Sequence, residues 1–181
     1  MNGMMRSEDR KGRVRGVRSG VVATIAALTV FGGAVTAAAD DTPALSVALT
    51  TIPGGEQAGA TPAPTLLVYS DGHAVYSADA ADPKRPKDAE PKQREGKVSL
   101  DVVHSVAADA KKLGDADLGM PKDGNGGSTL LDFLGDTPDQ DVHLVVYSPG
   151  GSDGLTDAQK DGRKRFTDLS KKLTDAFKAD K

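Results

Sequence analysis

Three histidines are the side chains in this sequence best suited to hold a metal ion or to transfer protons near neutral pH. They are His73, His104 and His143, and they are widely separated along the chain. No two of them have the His-x-x-x-His spacing that places a pair of imidazoles on one face of a helix. The pattern therefore indicates three separate side chains rather than a metal site.

Nucleophilic catalysis has equally little support. No serine lies in a Gly-x-Ser-x-Gly motif, and Ser128 and Ser152 each follow two glycines without the strand-to-helix pattern that exposes a catalytic serine. The chain contains no cysteine, which excludes thiol catalysis, disulfide bonds, thiolate metal sites and lipid attachment to a cysteine. We predict no catalytic residue.

One acidic segment resembles the start of a calcium-binding loop. Residues 123–127 read Asp-Gly-Asn-Gly-Gly, but the twelfth position counted from Asp123 is Leu134, where such a loop needs a bidentate glutamate. Glycine and asparagine tolerate the left-handed backbone conformation, so a turn is the better interpretation. The sequence also lacks the glycine-rich fingerprints that bind nucleotides. We predict neither a metal nor a cofactor.

Residues 1–39 have the order of a secretory signal peptide. Six lysine and arginine residues lie before residue 19, an uncharged stretch runs from Gly20 to Ala39, and two aspartates follow. Ala37 and Ala39 match the small residues that signal peptidase requires, so we predict cleavage before Asp40. The alternative is an uncleaved anchor, because the uncharged stretch is just long enough to span a bilayer. In both cases the protein is expected to be secreted or held in the cell envelope.

Charge limits the partners that this chain can bind. It has 23 basic and 26 acidic residues, and six of the basic but only two of the acidic ones lie in the leader. The remaining chain is therefore clearly acidic, which disfavours nucleic acid and anionic membrane surfaces as partners. We expect contact with a membrane only through the leader, if it is retained.

The rest of the chain divides into a tether and one domain. Residues 40–64 contain four prolines and three glycines, which predicts a tether, although Leu45–Leu49 could add an edge strand. A single folded domain is predicted over residues 65–181. Within it, residues 79–97 are rich in charge and proline and almost free of apolar residues, which predicts a disordered loop.

Two hairpins are predicted in the domain. Asp71-Gly72 separates two runs rich in β-branched and aromatic residues, which predicts a two-residue type I′ turn. Residues 129–134 and 142–148 have similar composition and are predicted to form a second hairpin with a longer loop.

A helix follows each predicted hairpin. The first is predicted over 100–113 with Ser99 as its N-cap, and the second over 157–177 with a capping box formed by Thr156 and Gln159. The lysine and arginine side chains of the second helix are expected to point outward. The predicted fold is α+β: a four-stranded antiparallel sheet with two helices on one face, in the order β-β-α-β-β-α.

Alternation along the strands separates tyrosines from aliphatic side chains. Parity across the first hairpin places Tyr69 and Tyr76 on one face, and Tyr147 is expected on the same side of the sheet. The favoured interpretation is that a second layer, made by Leu45–Leu49 or by side chains at the rim, covers them. The alternative makes these three tyrosines a candidate surface for a partner, since aromatic residues with a polar tip are favoured at interfaces.

Four segments carry a resemblance to a known group of proteins. They are Thr65–Val75, Leu100–Ala110, Val142–Gly150 and Gly154–Arg165. The chain resembles small, functionally uncharacterised exported proteins and lipoproteins of actinobacteria. In that group a Val-Tyr-x-Asp-Gly hairpin, a helix, a strand ending in Val-Tyr and a Leu-Thr…Gln…Arg helix follow in this order. This chain lacks the lipobox cysteine of the lipoproteins and has the charged segment 79–97. The resemblance implies an extracytoplasmic bacterial protein and supplies no catalytic residue.

Two classes of function remain open. The favoured class is a non-catalytic module of the cell envelope or the medium that binds an envelope protein or a glycan. The alternative is a small extracytoplasmic hydrolase whose site is assembled from scattered polar groups. The first predicts an exposed apolar or aromatic patch, and the second predicts a pocket in which groups with shifted pKa values converge.

Overall fold

One antiparallel sheet of seven strands forms the centre of the fold. The computed structural model describes residues 42–55, 62–86 and 88–181, and all seven strands lie within them. In chain order the strands are β1 Leu45–Ile52, β2 Pro64–Tyr69, β3 His73–Tyr76, β4 Arg94–Lys97, β5 Ser128–Phe133, β6 Val142–Tyr147 and β7 Lys178–Ala179. Across the sheet they lie in the order β6-β5-β1-β2-β3-β4-β7. The predicted leader, with its cleavage site at Ala37, Ala39 and Asp40, lies outside the described residues.

The α+β class is confirmed, but the strand count is not. The two helices are α1 Leu100–Leu113 and α2 Asp157–Ala176. The predicted four-stranded sheet lacks β1, β4 and β7, so the predicted order β-β-α-β-β-α is wrong. The observed order is β-β-β-β-α-β-β-α-β.

Strand β1 is the largest of these corrections, because it falls in the predicted tether and yet lies inside the sheet. It pairs with β2 on one side and with β5 on the other. Val47 and Leu49 point into the core and are 0% and 4% exposed. Pro43 precedes the strand and Pro53 follows it, so the residues between them are free to pair on both sides.

Strand β4 occupies the last four residues of the predicted disordered loop. It pairs with β3 and with the short C-terminal strand β7. Its sequence, Arg-Glu-Gly-Lys, has no apolar alternation, which is why its pattern did not predict a strand. Tertiary packing stabilises this strand instead, because the ring of Phe177 lies directly against the backbone of Gly96.

Hydrogen bonds cross the remainder of that loop. The backbone N–H of Lys92 donates to the Asp79 carboxylate at 2.8 Å. The guanidinium of Arg85 donates to the carbonyl oxygens of Ala80, at 3.1 Å, and of Ala89. These bonds tie the two arms of the segment together before β4 begins.

The first hairpin turns through three residues rather than two. The N–H of Gly72 donates to the Tyr69 carbonyl at 2.9 Å, and of the loop residues 70–72 only Gly72 has a positive φ, of 84°. This matches a type I turn followed by a glycine in the left-handed conformation, so the predicted type I′ turn is wrong. The register is shifted by one residue as a result, with Val68 opposite Ala74. Such a shift moves every side chain of β3 to the other face.

Both helices begin where their caps predict. Ser99 is the N-cap of α1, although its side chain makes no capping hydrogen bond. The predicted capping box of α2 is confirmed: Thr156 Oγ1 accepts from the Gln159 N–H at 3.2 Å, and Gln159 Oε1 accepts from the Thr156 N–H at 2.9 Å. Helix α2 ends at Ala176, one residue before the prediction.

One face of the sheet carries the hydrophobic core. Alternate residues of the strands, such as Leu66, Leu131 and Leu144, form one buried cluster with side chains from both helices. Val106 and Leu113 of α1 and Leu173 of α2 are fully buried in it. Among the described residues, no helix combines the length and the apolar character needed to cross a bilayer.

Candidate functional site at the edge of strand β6

The structure does not bring the three predicted tyrosines together. Because of the shifted register, Tyr76 lies on the helix-covered face, with its ring centroid 5.3 Å from that of Phe177. Tyr69 and Tyr147 lie on the opposite face, but Tyr69 is level with the first residue of β1 and Tyr147 with the last. The prediction of one three-tyrosine surface is therefore wrong in its geometry. Tyr147 is 45% exposed and stands apart from the other two.

The three histidines are also separate. His73 Nε2 lies 2.7 Å from Glu95 Oε2, and His143 Nδ1 lies 2.8 Å from Asp132 Oδ1. His104 is exposed on α1. In the part of the chain that the structure describes, no cluster of three or more histidine, aspartate or glutamate side chains could hold a metal ion.

A groove of about 580 Å³ lies between α1 and the connection from β5 to β6. Half of its lining residues are aliphatic or aromatic, among them Val103, Ala107, Phe133 and Leu134. His104 lies on the helical side of this groove. Lys111 and Asp136 also line it, so the groove mixes apolar and charged side chains.

A second cleft, of about 390 Å³, follows the outer edge of β6. It lies between that strand and the loop after α1, residues 114–120. Met120 and Tyr147, which are 63% and 45% exposed, are the most exposed large hydrophobic side chains that the structure describes, and both line it. His143, Leu144 and Val145 complete the strand side. We call this space the β6 cleft.

The backbone of β6 presents unpaired polar groups to this cleft. The Ser148 N–H donates to the Gly127 carbonyl at 2.7 Å, which fixes the residues of β6 that bond to β5. Because antiparallel pairs alternate, Val146 and Leu144 use their N–H and C=O groups toward β5. His143, Val145 and Tyr147 must direct theirs outward, where the described residues provide no further strand. Of these outward groups, the Tyr147 carbonyl has a partner in a side chain of α2.

Arg163 joins the strand to the loop across the cleft. It lies in α2 and is only 6% exposed, so the prediction that the basic residues of α2 all point outward is wrong for this residue. Its Nη2 donates to the carbonyl oxygens of Tyr147, at 2.7 Å, and Ser148, at 2.6 Å. Its Nη1 donates to those of Leu118, at 3.3 Å, and Gly119, at 3.4 Å. Burial lowers the pKa of the guanidinium, which nevertheless stays charged at any ordinary pH.

A second residue of α2 holds the same loop. Gln159 Nε2 donates to Asp117 Oδ2 at 2.8 Å, and the Gly119 N–H donates to Asp117 Oδ1 at 2.8 Å. These two bonds, with the Gly119 bond as the larger cause, lower the pKa of Asp117. Gly119 has a φ of 61°, and a side chain there would collide with Gln159 and Leu155. The loop therefore keeps a charged carboxylate at the cleft.

Ser148 supports the end of β6. It is 2% exposed and is the one non-glycine residue with a positive φ, of 43°, in the described part of the chain. Its hydroxyl accepts from the Gly126 N–H at 3.0 Å and donates to the Asp123 carbonyl at 3.4 Å. The hydroxyl is thus bound to the glycine-rich loop and serves to position it, and the strained backbone aims the Ser148 carbonyl at Arg163.

Comparisons of this chain with protein-family models, with curated proteins and with solved structures give no match. The arrangement itself must therefore carry the functional argument. An open strand edge, two exposed hydrophobic side chains and one fixed carboxylate provide contacts for a partner.

The sequence contains a signal that Arg163 does not point outward with the other basic residues of α2. Arg163 stands three residues before the buried Phe166 and four after Gln159, so all three share one face of α2. A charged residue within an apolar stripe needs a buried hydrogen-bonding partner. That requirement predicts an internal role, although it does not identify the four carbonyl groups.

Proposed function

We propose that this chain is an exported, non-catalytic binding module of the bacterial cell envelope or the medium, whose partner is an envelope protein or a glycan. The observation that carries the proposal is the β6 cleft, where Met120 and Tyr147 are exposed beside an unpaired strand edge. Exposed apolar side chains that share one concavity are typical of interaction sites.

The export part of the proposal rests on the leader. Basic residues, an uncharged stretch and Ala37-Ala38-Ala39 stand in the order that signal peptidase recognises. Intact-mass measurement of protein recovered from medium or cell wall is expected to give a chain that begins at Asp40. Recovery of the full-length chain from the membrane fraction alone would instead establish the uncleaved anchor.

The binding part of the proposal is favoured over a hydrolase by the chemistry of the cleft. The carboxyl group of Asp117 has a lowered pKa, which keeps it charged and makes it a poor general acid. The Ser148 hydroxyl is bound to backbone groups and is not hydrogen-bonded to a histidine. These features suit a surface that holds a partner.

The resemblance to exported proteins of actinobacteria belongs to this proposal. Two of its elements, the Val-Tyr strand and the Leu-Thr…Gln…Arg helix, contain Tyr147, Gln159 and Arg163. If the group shares a function, the β6 cleft is where we expect it.

Capture experiments test the binding function. The affinity-tagged full-length chain, expressed in its host, is purified with its cell-wall partners and compared with the Tyr147→Ser variant. Tyr69→Ser is the matched control, because Tyr69 lies on the same face of the sheet at its other end. We expect partners to be lost with Tyr147→Ser and kept with Tyr69→Ser. Equal capture by both variants would remove the β6 cleft from the proposal.

A further inference from the structure

We propose that the β6 cleft binds an extended polypeptide segment of a partner protein, which adds to the sheet as a strand beside β6. The proposal rests on the binding function above and goes beyond it by naming the class of partner. Of the two classes of partner, an envelope protein and a glycan, this proposal favours the protein.

The repeat of the unpaired groups is the first argument. His143 and Val145 offer N–H and C=O groups at alternate positions of one edge, and Tyr147 adds its N–H. The Tyr147 carbonyl is already taken by Arg163 and marks the end of the free edge. An extended chain repeats its own donors and acceptors with the same period, so its backbone can satisfy them in register. The hydroxyl groups of a glycan have no such obligatory alternation.

The length of the edge is the second argument. The sheet has two edges, and β7 at the far side has only two residues, which blunts that edge. Strand β6 has six residues, and the loop 114–120 runs beside it. Among the described residues that loop makes no backbone hydrogen bond to β6, so the edge is flanked rather than paired.

The loop also favours a single segment over a second copy of this chain. Arg163 ties Leu118 and Gly119 to the end of β6, which holds the loop beside the strand edge. A second copy would have to bring its own β6 and its own loop into the same cleft of about 390 Å³. A single extended segment places only one strand in the cleft and no second loop.

Charge indicates the composition of the segment. Asp117 lines the cleft, and Asp132 and Asp141 lie 2.8 and 4.0 Å from the ring nitrogens of His143. No lysine or arginine of the described chain lines the cleft. We expect a segment that combines lysine or arginine with apolar side chains able to contact Met120 and Tyr147.

The first test uses a phage-displayed library of linear peptides of about seven residues, an ordinary strand length, selected on the immobilised full-length protein. A selected peptide is then synthesised, and amide hydrogen exchange of the protein is measured with and without it. We expect the amides of His143 and Val145 to exchange at least about tenfold more slowly in the complex. The amides of Leu144 and Val146, already bonded to β5, should change little. Failure to select any peptide, or binding without protection at His143 and Val145, would overturn strand addition.

Two backbone changes provide the second test. Val145→Pro removes an outward N–H without removing a bond to β5, and Val145→Ala is the matched control that keeps this N–H. We expect the peptide to bind Val145→Pro at least about tenfold more weakly than Val145→Ala. If the proline variant does not fold, changes in the peptide test the same point. Two versions of the peptide are made, N-methylated either at the odd-numbered or at the even-numbered residues. Binding should be lost in the version whose methylated N–H groups face β6 and kept in the other. Equal effects in both versions would contradict the proposal.

The outcomes separate this inference from the proposed function. If Tyr147→Ser abolishes partner capture while the captured partner leaves His143 and Val145 unprotected, the module binds but not by strand addition. If these two amides are already protected without peptide, in a dimer detected by sedimentation, the occupant is a second copy and the inference is wrong.

Discussion

The Nη2 of Arg163 donates a hydrogen bond of 2.7 Å to the carbonyl oxygen of Tyr147, at the end of the open edge of β6. Four carbonyl groups converge on this one guanidinium, two from the strand end and two from the loop 114–120. A lysine could not reproduce this contact, because its single ammonium group lacks the planar fork of donors. Arg163 therefore sets the distance between the strand and the loop that bounds the β6 cleft.

Arg163→Met should destabilise the protein by about 2–4 kcal/mol, because it leaves buried carbonyl groups without a donor. Arg165→Met is the matched control on the same helix, and since Arg165 is exposed we expect a change of less than about 0.5 kcal/mol. Urea titration of both variants gives the two free energies of unfolding. A loss at Arg163 no larger than at Arg165 would show that the four hydrogen bonds add nothing to stability.

The turn of the first hairpin gives a second prediction. Gly72→Ala should cost roughly 1–3 kcal/mol, because the residue has a φ of 84° and a Cβ there would lie 2.9 Å from the Val98 carbonyl oxygen. Gly150→Ala is the control, since a Cβ at Gly150 meets nothing within 4 Å. Thermal unfolding should show a clear loss for the first variant and almost none for the second. Equal melting temperatures would contradict the three-residue turn.

The two faces of the sheet predict opposite results for two tyrosines. Tyr76→Ser should cost about 2–3 kcal/mol, because the ring packs against Phe177 and beneath the Arg94 guanidinium. Tyr147→Ser should cost less than about 1 kcal/mol, because the side chain is 45% exposed. Chemical denaturation distinguishes these values. If Tyr76→Ser is as mild as Tyr147→Ser, Tyr76 does not belong to the core.

The observed fold shows which of its parts the sequence can predict. Local signals succeeded: the Thr156–Gln159 capping box and the helix from Leu100 to Leu113 are present as predicted. The predicted register of the first hairpin was wrong, because Asp71-Gly72 fits both a two-residue and a three-residue turn. The choice between them depends on which residues of β2 and β3 pair, and that is a property of the whole sheet.

Strand β4 contains no apolar alternation, and its place depends on Phe177, which lies about eighty residues later in the chain. The β6 cleft was unpredictable for a similar reason, since its open edge depends on which strands pair across the whole sheet, and no further strand of the described residues pairs with β6. Tyr147 was predicted as a contact residue from its chemistry, but Met120 and Arg163 join it only in the folded chain.

The loop beside the cleft yields a prediction for pH. Asp117 has a pKa below its ordinary value, mainly because its carboxylate accepts from the Gly119 N–H and also from Gln159. A group whose pKa is lowered by folding stabilises the folded state above its unfolded pKa, about 3.9 for aspartate, and this contribution disappears as the pH falls. The wild-type protein should therefore be more stable than Asp117→Asn near pH 6, and the difference should shrink below about pH 4.

Thermal unfolding of both proteins between pH 6 and pH 2.5 measures this difference. Asp115→Asn is the matched control, because it removes one negative charge from the same loop at an exposed position. If Asp115→Asn reproduces the pH dependence of Asp117→Asn, the effect comes from the net charge of the loop. A difference confined to Asp117→Asn assigns it to the hydrogen bonds from Gly119 and Gln159, which hold the loop beside β6.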